Sequence, residues 1–281
     1  PNIAHVFDAG ATNAGRPYFV MEYVKGIPIT KYCDKYKLGT GERLRLFIPL
    51  CQAIQHAHQK GIIHRDIKPS NALVIRHDET PIPKIIDFGV AKILNRCLTE
   101  GTLFTQQGQL IGTPDYMSPE QAELTDLDVD TRTDIYSLGV LLYELLTGCT
   151  PFDPKELRSK GYAEMRRVIC ERDPLKLSTR LTTLGGKLED IAKRHSATVE
   201  QLRRSVRGDL DWIVMRTLEK DRARRYSSAQ ALAEDIERHL NHQPVSAGSP
   251  GILYCAQKFV RRHRTQVLVG AFLCALITLS M

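Results

Sequence analysis

Residues 133–148, TDIYSLGVLLYELLTG, place apolar side chains on almost every face of a helix, and Gly148 supplies its stop. A helix without a polar face has to be covered on all sides, so it must sit inside a body of other elements. That body is also largely helical. In GTGERLRLFIPLCQAIQHAHQKG (39–61), Leu44, Phe47, Ile48, Cys51, Ile54 and Ala57 recur at spacings of three and four, which predicts an amphipathic helix ending at Gly61. Further helices are expected over 209–219 and 228–240. PYFVMEYV (17–24) reads as a buried strand. ALVI (72–75) and KII (84–86) read as short strands flanking a turn-rich RHDETPIP. Residues 95–109 are polar without periodicity, 153–207 are charged and helix-prone without a motif, and QPVSAGSPG (243–251) has the composition of a linker.

Of the 281 residues 42% are hydrophobic and 25% charged, ordinary for a folded soluble domain. The net charge of +7 is unevenly placed: no acid follows Glu237, whereas Arg238, Lys258, Arg261, Arg262 and Arg264 do. A basic tail can signal nucleic acid. Here it adjoins VLVGAFLCALITLSM (267–281), an uncharged and mostly apolar run, so a membrane surface is favoured and nucleic acid is not expected as a partner. The run is shorter than the roughly 20 residues of a membrane span. Its RRHR flank at 261–264 nevertheless marks it as the start of a transmembrane helix rather than a buried terminal helix. The seven cysteines are scattered, with no CxxC pair or Cys/His ligand spacing, as in reduced thiols.

The chemistry is concentrated in HRDIKPSN, His64 to Asn71. Phosphoryl transfer to an alcohol needs a carboxylate to orient the hydroxyl and accept its proton, a cation on the transferring group, and oxygen ligands for Mg²⁺. Asp66, Lys68 and Asn71 supply these within six residues, and Asp87 follows a strand in DFG at 87–89. One Asp and one Asn suit a cation that prefers few carboxylates beside phosphate oxygens and water.

HRDIKPSN, DFG, SPE (118–120) and DIYSLG (134–139), in this order and spacing, resemble the eukaryotic-type protein kinase family over roughly residues 1–240. The resemblance implies an α+β, protein-kinase-like fold: the end of the small lobe and hinge (1–24), a mainly helical large lobe (25–242), a linker and basic juxtamembrane segment (243–264) and a truncated transmembrane helix (265–281). It implies transfer of the ATP γ-phosphate to Ser/Thr of proteins, with Asp66 as base, Lys68 on the phosphate, and Asn71 and Asp87 on Mg²⁺. Lys68 followed by Pro-Ser looks like the serine/threonine branch, and Thr113 in GTPDY like the threonine that contacts base and lysine there. Met21 resembles the gatekeeper, Glu22 and Val24 the hinge that pairs with adenine, and Leu73 the residue beneath the adenine ring.

Glu120 with Arg225, Asp134, His64 and Phe88 resemble scaffold residues of the family. Arg65 and Lys92 resemble a pocket for a phosphorylated activation loop, with Thr99, Thr102 and Thr105 as acceptors. The last helices resemble those of bacterial membrane-anchored receptor-type kinases, which implies a single-pass membrane protein with a cytoplasmic kinase domain. The glycine-rich loop, the ATP-gripping lysine and its glutamate are expected before Pro1, so the chain reads as a fragment with little activity of its own. The alternative is a pseudokinase-type scaffold, against which stand the intact Asp66, Lys68, Asn71 and Asp87.

Overall fold

The computed structural model describes residues 1–13, 17–88, 113–123, 129–159, 161–248 and 251–262. At its centre lies the apolar helix expected from the sequence, here α4 (Thr131–Thr147), preceded in the chain by α1 (Ile29–Lys35), α2 (Thr40–Gln59) and the short α3 (Pro119–Ala122). The Asp130 carboxylate caps the start of α4 by accepting from the Arg132 N–H, and Gly148 ends it with φ 72°. Leu138, Leu141, Leu142 and Leu145 are fully buried. Each such side chain contributes about 1.5–3 kcal/mol. Gly139 is where α4 meets α10 (Asp209–Thr217): a Cβ there would stand 2.0 Å from Thr217 Oγ1, so any larger residue would push the helices apart. Leu44, Phe47, Cys51 and Ile54 of α2 join the same core, as do Leu232 and Ile236 of α11 (Ala229–Leu240).

The strands form two small sheets. β1 (Val6–Ala11) and β2 (Pro17–Met21) make an antiparallel hairpin, and β3 (Ile27–Pro28), β4 (Ala72–His77) and β5 (Thr80–Ile85) lie in the order β3-β4-β5. β2 falls where a buried strand was expected, but Tyr18 and Val20 are exposed. Among the described residues only β1 pairs with it, so the apolar run marks a strand without a covering layer. The expected turn RHDETPIP is mostly strand. Only Asp78 and Glu79 turn, both with positive φ as in a two-residue hairpin, and the register runs from His77↔Thr80 to Ala72↔Ile85. Pro81 and Pro83 fit because their nitrogens lie on the outer edge. Ile85, of the same parity, directs its N–H and carbonyl outward to Asn2 O and Ala4 N.

The motif-free stretch 153–207 folds as α5 (Pro154–Ser159), α6 (Gly161–Glu171), α7 (Leu177–Thr183), α8 (Lys187–Arg194) and α9 (Val199–Val206). Its first half builds a second apolar cluster of Phe152, Leu157, Met165, Val168 and Ile169 with Ala122, and its second half joins the main core. Residues 243–248, whose composition suggests a linker, are docked. Val245 is buried, and the Asp235 carboxylate accepts from Ser246 N–H, Ser246 Oγ and Ala247 N–H at 2.7–2.9 Å. A final helix, α12 (Ile252–Arg262), follows. No helix among the described residues is long and apolar enough to cross a membrane. The span expected at the end of the chain, together with Lys92, Thr99, Thr102 and Thr105, lies outside those residues.

His195, between α8 and α9, is buried, and among the described residues neither ring nitrogen is hydrogen-bonded. Burial, and then the charges of Arg43 and Arg194, push its pKa down to about 3 from 6.5. Protonation therefore favours the unfolded chain: the stability tied to neutral His195 is complete above about 6.5 and declines as pH falls toward about 3. The urea midpoint is expected to drop between pH 7 and pH 5, and His195→Phe to flatten the profile in that window; an identical slope in the variant would contradict this.

Candidate active site

The site is organised by Asp134, in the first turn of α4 and fully buried. Its Oδ2 accepts from the His64 N–H at 2.8 Å and lies 2.7 Å from His58 Nε2, while Oδ1 accepts from the Arg65 N–H at 2.8 Å. Two successive backbone donors are thereby fixed to a helix that cannot move without disturbing the core. Arg65 takes φ 65°, a left-handed conformation costly for a non-glycine residue, and the Gln121 Nε2 amide holds its carbonyl at 2.9 Å. His64 Nδ1 accepts from the Asp66 N–H at 3.2 Å, so Nε2 carries the proton donated to the Ile86 carbonyl at 3.0 Å. Burial lowers the His64 pKa, which favours this neutral tautomer. The ring packs on Phe88 with centroids 4.7 Å apart.

The reactive groups follow directly. Lys68 Nζ lies 2.8 Å from Asp66 Oδ2, both side chains about one-fifth exposed. A single 3₁₀ turn, Pro69–Asn71, aims the Asn71 amide nitrogen back at the Asp66 carbonyl (2.9 Å) and at Asp66 Oδ2 (3.3 Å). That leaves Asn71 Oδ1, which accepts from Ser70 Oγ at 3.2 Å, as the oxygen on the other side. The Ile86 N–H donates to the Asn71 carbonyl at 2.9 Å, so the end of β5 is tied to this turn one residue before Asp87. Asp87 is exposed with φ 56°, and among the described residues nothing is hydrogen-bonded to its carboxylate. Asp66, Lys68 and Asn71 are thus brought into direct contact, and the chain just before Asp87 is bonded to the same turn. Thr113 lines one cleft with Arg65, Asp66, Tyr116, Met117 and Gln121.

At the other edge, the Glu22 N–H donates to the His5 carbonyl, and the Glu22 carboxylate takes the His5 N–H and pairs with Lys84. The Val24 carbonyl accepts from Gly26 N–H. The Glu22 carbonyl and Val24 N–H have no backbone partner among the described residues, and a Cβ on Gly26 would stand 3.0 Å from Leu73 Cβ. Glu22, Val24 and Leu73 therefore share one region, with Met21 at the end of β2 leading into it.

Glu120 and Arg225 form a buried bidentate pair at 2.7 and 2.9 Å, with Thr133 Oγ1 donating to Glu120 at 2.7 Å. Burial raises the Glu120 pKa, but Arg225 outweighs it and the net shift is downward. Arg225 also donates to the carbonyls of Glu219, Lys220 and Arg132. Sequence reasoning did not identify His58 or Gln121, whose signals are their places six residues before His64 and directly after SPE.

The model of the protein kinase domain family matches residues 1–236. The chain belongs to the protein kinase family. Among its relatives, this kinase domain is 35% identical over 262 residues to the serine/threonine-protein kinase PknB of Mycobacterium tuberculosis, 92% of this chain and 36% of that protein. It is 38% identical over 167 residues to the serine/threonine-protein kinase Pkn1 of Myxococcus xanthus, 59% of this chain and 23% of that protein. The chain therefore spans about a third of the length of PknB. A crystal structure of the Mycobacterium tuberculosis PknI kinase domain has the same fold, with a TM-score of 0.55 and 24% identity, covering 85% of this chain and 72% of that one.

Asp134→Asn places an NH₂ where an oxygen now accepts from an N–H or faces an imidazole. It is expected to lower stability by roughly 1.5–3 kcal/mol, the worth of a hydrogen bond to a charged group, in urea denaturation. It should also speed hydrogen exchange at the His64 and Arg65 amides. Unchanged exchange there would mean the loop is held from elsewhere.

Proposed function

We propose that the protein containing this chain is a serine/threonine protein kinase, and that this chain carries its phosphotransfer residues. The supporting observation is the Asp66–Lys68–Asn71 cluster beside Thr113, on a backbone anchored by Asp134. Asp66 orients the substrate hydroxyl and accepts its proton on a carboxylate oxygen. Lys68, 2.8 Å away, is positioned to balance charge on the transferring phosphoryl group. The Asn71 amide, bonded to the Asp66 carbonyl and carboxylate, keeps that carboxylate in place. Asn71 Oδ1 and the exposed Asp87 carboxylate form a hard, oxygen-only donor set that fits Mg²⁺, which would neutralise phosphate charge when bound. The open Glu22 carbonyl and Val24 N–H, with Leu73 beside them, fit the edge and face of the ATP adenine. Protein substrates bearing Ser or Thr would present their hydroxyl to Asp66, beside Thr113.

In the complete polypeptide, Asp66→Asn should cut kcat by on the order of 10²–10⁴, the usual contribution of a positioned general base, while nucleotide affinity stays near wild type. Asp87→Ala should abolish Mg²⁺-dependent turnover. Radiolabel transfer from ATP to a generic protein substrate measures both. Equal transfer by wild type and Asp66→Asn removes Asp66 as the base, and no transfer by wild type moves the reading to a non-catalytic scaffold.

Arg65 suits a phosphate-binding role in regulation, since its Nε is buried without an acceptor among the described residues. We also infer a single-pass membrane protein with this domain on the cytoplasmic side, because RRHR (261–264) precedes the uncharged run 267–281. A reporter fused beyond that span in the complete protein should be extracytoplasmic; finding it on the kinase side overturns the topology.

A further inference from the structure

Helix α12 is amphipathic in a particular orientation. Its inner face is bolted to the kinase body: Tyr254 Oη donates to Asp209 Oδ1 at 2.9 Å and accepts from the Val245 N–H at 3.1 Å, and Lys258 pairs with Asp209 Oδ2. His239 Nδ1 meets the same carboxylate at 2.9 Å, and Tyr254 packs edge-on against Trp212 with centroids 5.4 Å apart. Burial alone would raise the Asp209 pKa, but hydrogen bonds from His239 and Lys258 bring it down to about 2, so this anchor is ionised at any physiological pH.

At 100° per residue, Ile252, Leu253, Ala256, Phe259 and Val260 fall in one sector of roughly 120°, and Tyr254 and Lys258 lie on the opposite side. The sector faces outward: Ile252 and Leu253 are 88% and 87% exposed, Phe259 and Val260 60% and 47%. A continuous apolar stripe on the outer surface signals a contact, unlike singly scattered apolar residues. Charge decides which. No acid lies between Arg238 and Met281, whereas Arg261, Arg262 and Arg264 follow the stripe at the end of the helix; Lys258 is already matched by Asp209 on the inner face. A second copy would bring like charges together, and residues 263–281 contain nothing to neutralise them. An anionic phospholipid surface satisfies both the stripe and the cations.

The geometry points to α12 as an interfacial helix that lays its Ile252–Val260 stripe into an anionic bilayer while its Tyr254–Lys258 face holds the kinase domain against that surface. This contact is distinct from the span proposed for 267–281. It fixes the orientation of the domain, where a span alone would only tether it.

The full chain is tested in vesicles of mixed phosphatidylcholine and phosphatidylglycerol, with photoreactive p-benzoylphenylalanine replacing either Leu253 or Gln257, both exposed positions. The probe at 253 should form lipid adducts, several-fold more than at 257 and several-fold more than in vesicles of phosphatidylcholine alone. Lipid capture independent of phosphatidylglycerol would overturn the electrostatic part of the assignment. Adducts at 253 that join two chains would make the stripe a dimer face. Adducts within one chain would mean its own residues cover the stripe. Either result, or no lipid adduct at 253 while the vesicles still carry the protein, overturns the proposal without bearing on the span or on phosphotransfer.

Discussion

The buried Asp134 carboxylate is the constraint on which the site depends. A charge removed from water is stable only when its lone pairs are used, and here the partners are the backbone N–H groups of His64 and Arg65 and the His58 ring. The exchange is mutual: the helix needs the loop to satisfy its charge, and the loop needs the helix to hold a left-handed residue it would not adopt alone. Asp66, one residue on, inherits its position from backbone bonds to a helix of the core rather than from side-chain contacts that water could replace.

Catalytic positioning asks for this division between a rigid support and a partly open reactive edge. The support includes the Glu120–Arg225 pair, which joins the segment after Thr113 to the region around Lys220 and to the α4 N-terminus through Thr133. Removing one partner of such a pair strands the other, a loss of roughly 3–5 kcal/mol. The Gln121 amide extends the same segment to the Arg65 carbonyl. The cleft wall and the 64–71 loop are therefore two ends of one hydrogen-bonded unit. Asp87, by contrast, stands exposed two residues beyond β5.

The C-terminal stretch shows how composition can mislead about order. Proline, glycine and serine at 243–251 signal a flexible connection, yet Asp235 gathers three donors from Ser246 and Ala247. A Cβ on Gly248 would stand 2.5 Å from the Trp212 ring, so this glycine permits close packing on an aromatic face rather than flexibility. The docking carries α12 back onto the domain and fixes which of its faces looks outward.

Much of this protein was legible in the chain itself. Helical periodicity marked α2, and the apolar character of 133–148 marked α4, because both signals arise within a few turns of sequence. Asp66, Lys68 and Asn71 were legible because six residues of loop must bring them together, and Glu120 with Arg225 because the family resemblance pairs them. The exposure of β2, the strand character of RHDETPIP, the roles of His58 and Gln121 and the docking of 243–248 were not legible. Each depends on tertiary surroundings: the open face of β2 among the described residues, an outer sheet edge that tolerates proline, a carboxylate 76 residues from His58, a carbonyl 56 residues from Gln121. Local sequence determined which segments are helical and which polar residues share one loop, since those follow from nearest neighbours along the chain. The tertiary structure decided what is covered, what is anchored and what faces out, since burial and hydrogen-bond satisfaction are properties of surfaces that exist only once the chain has closed on itself.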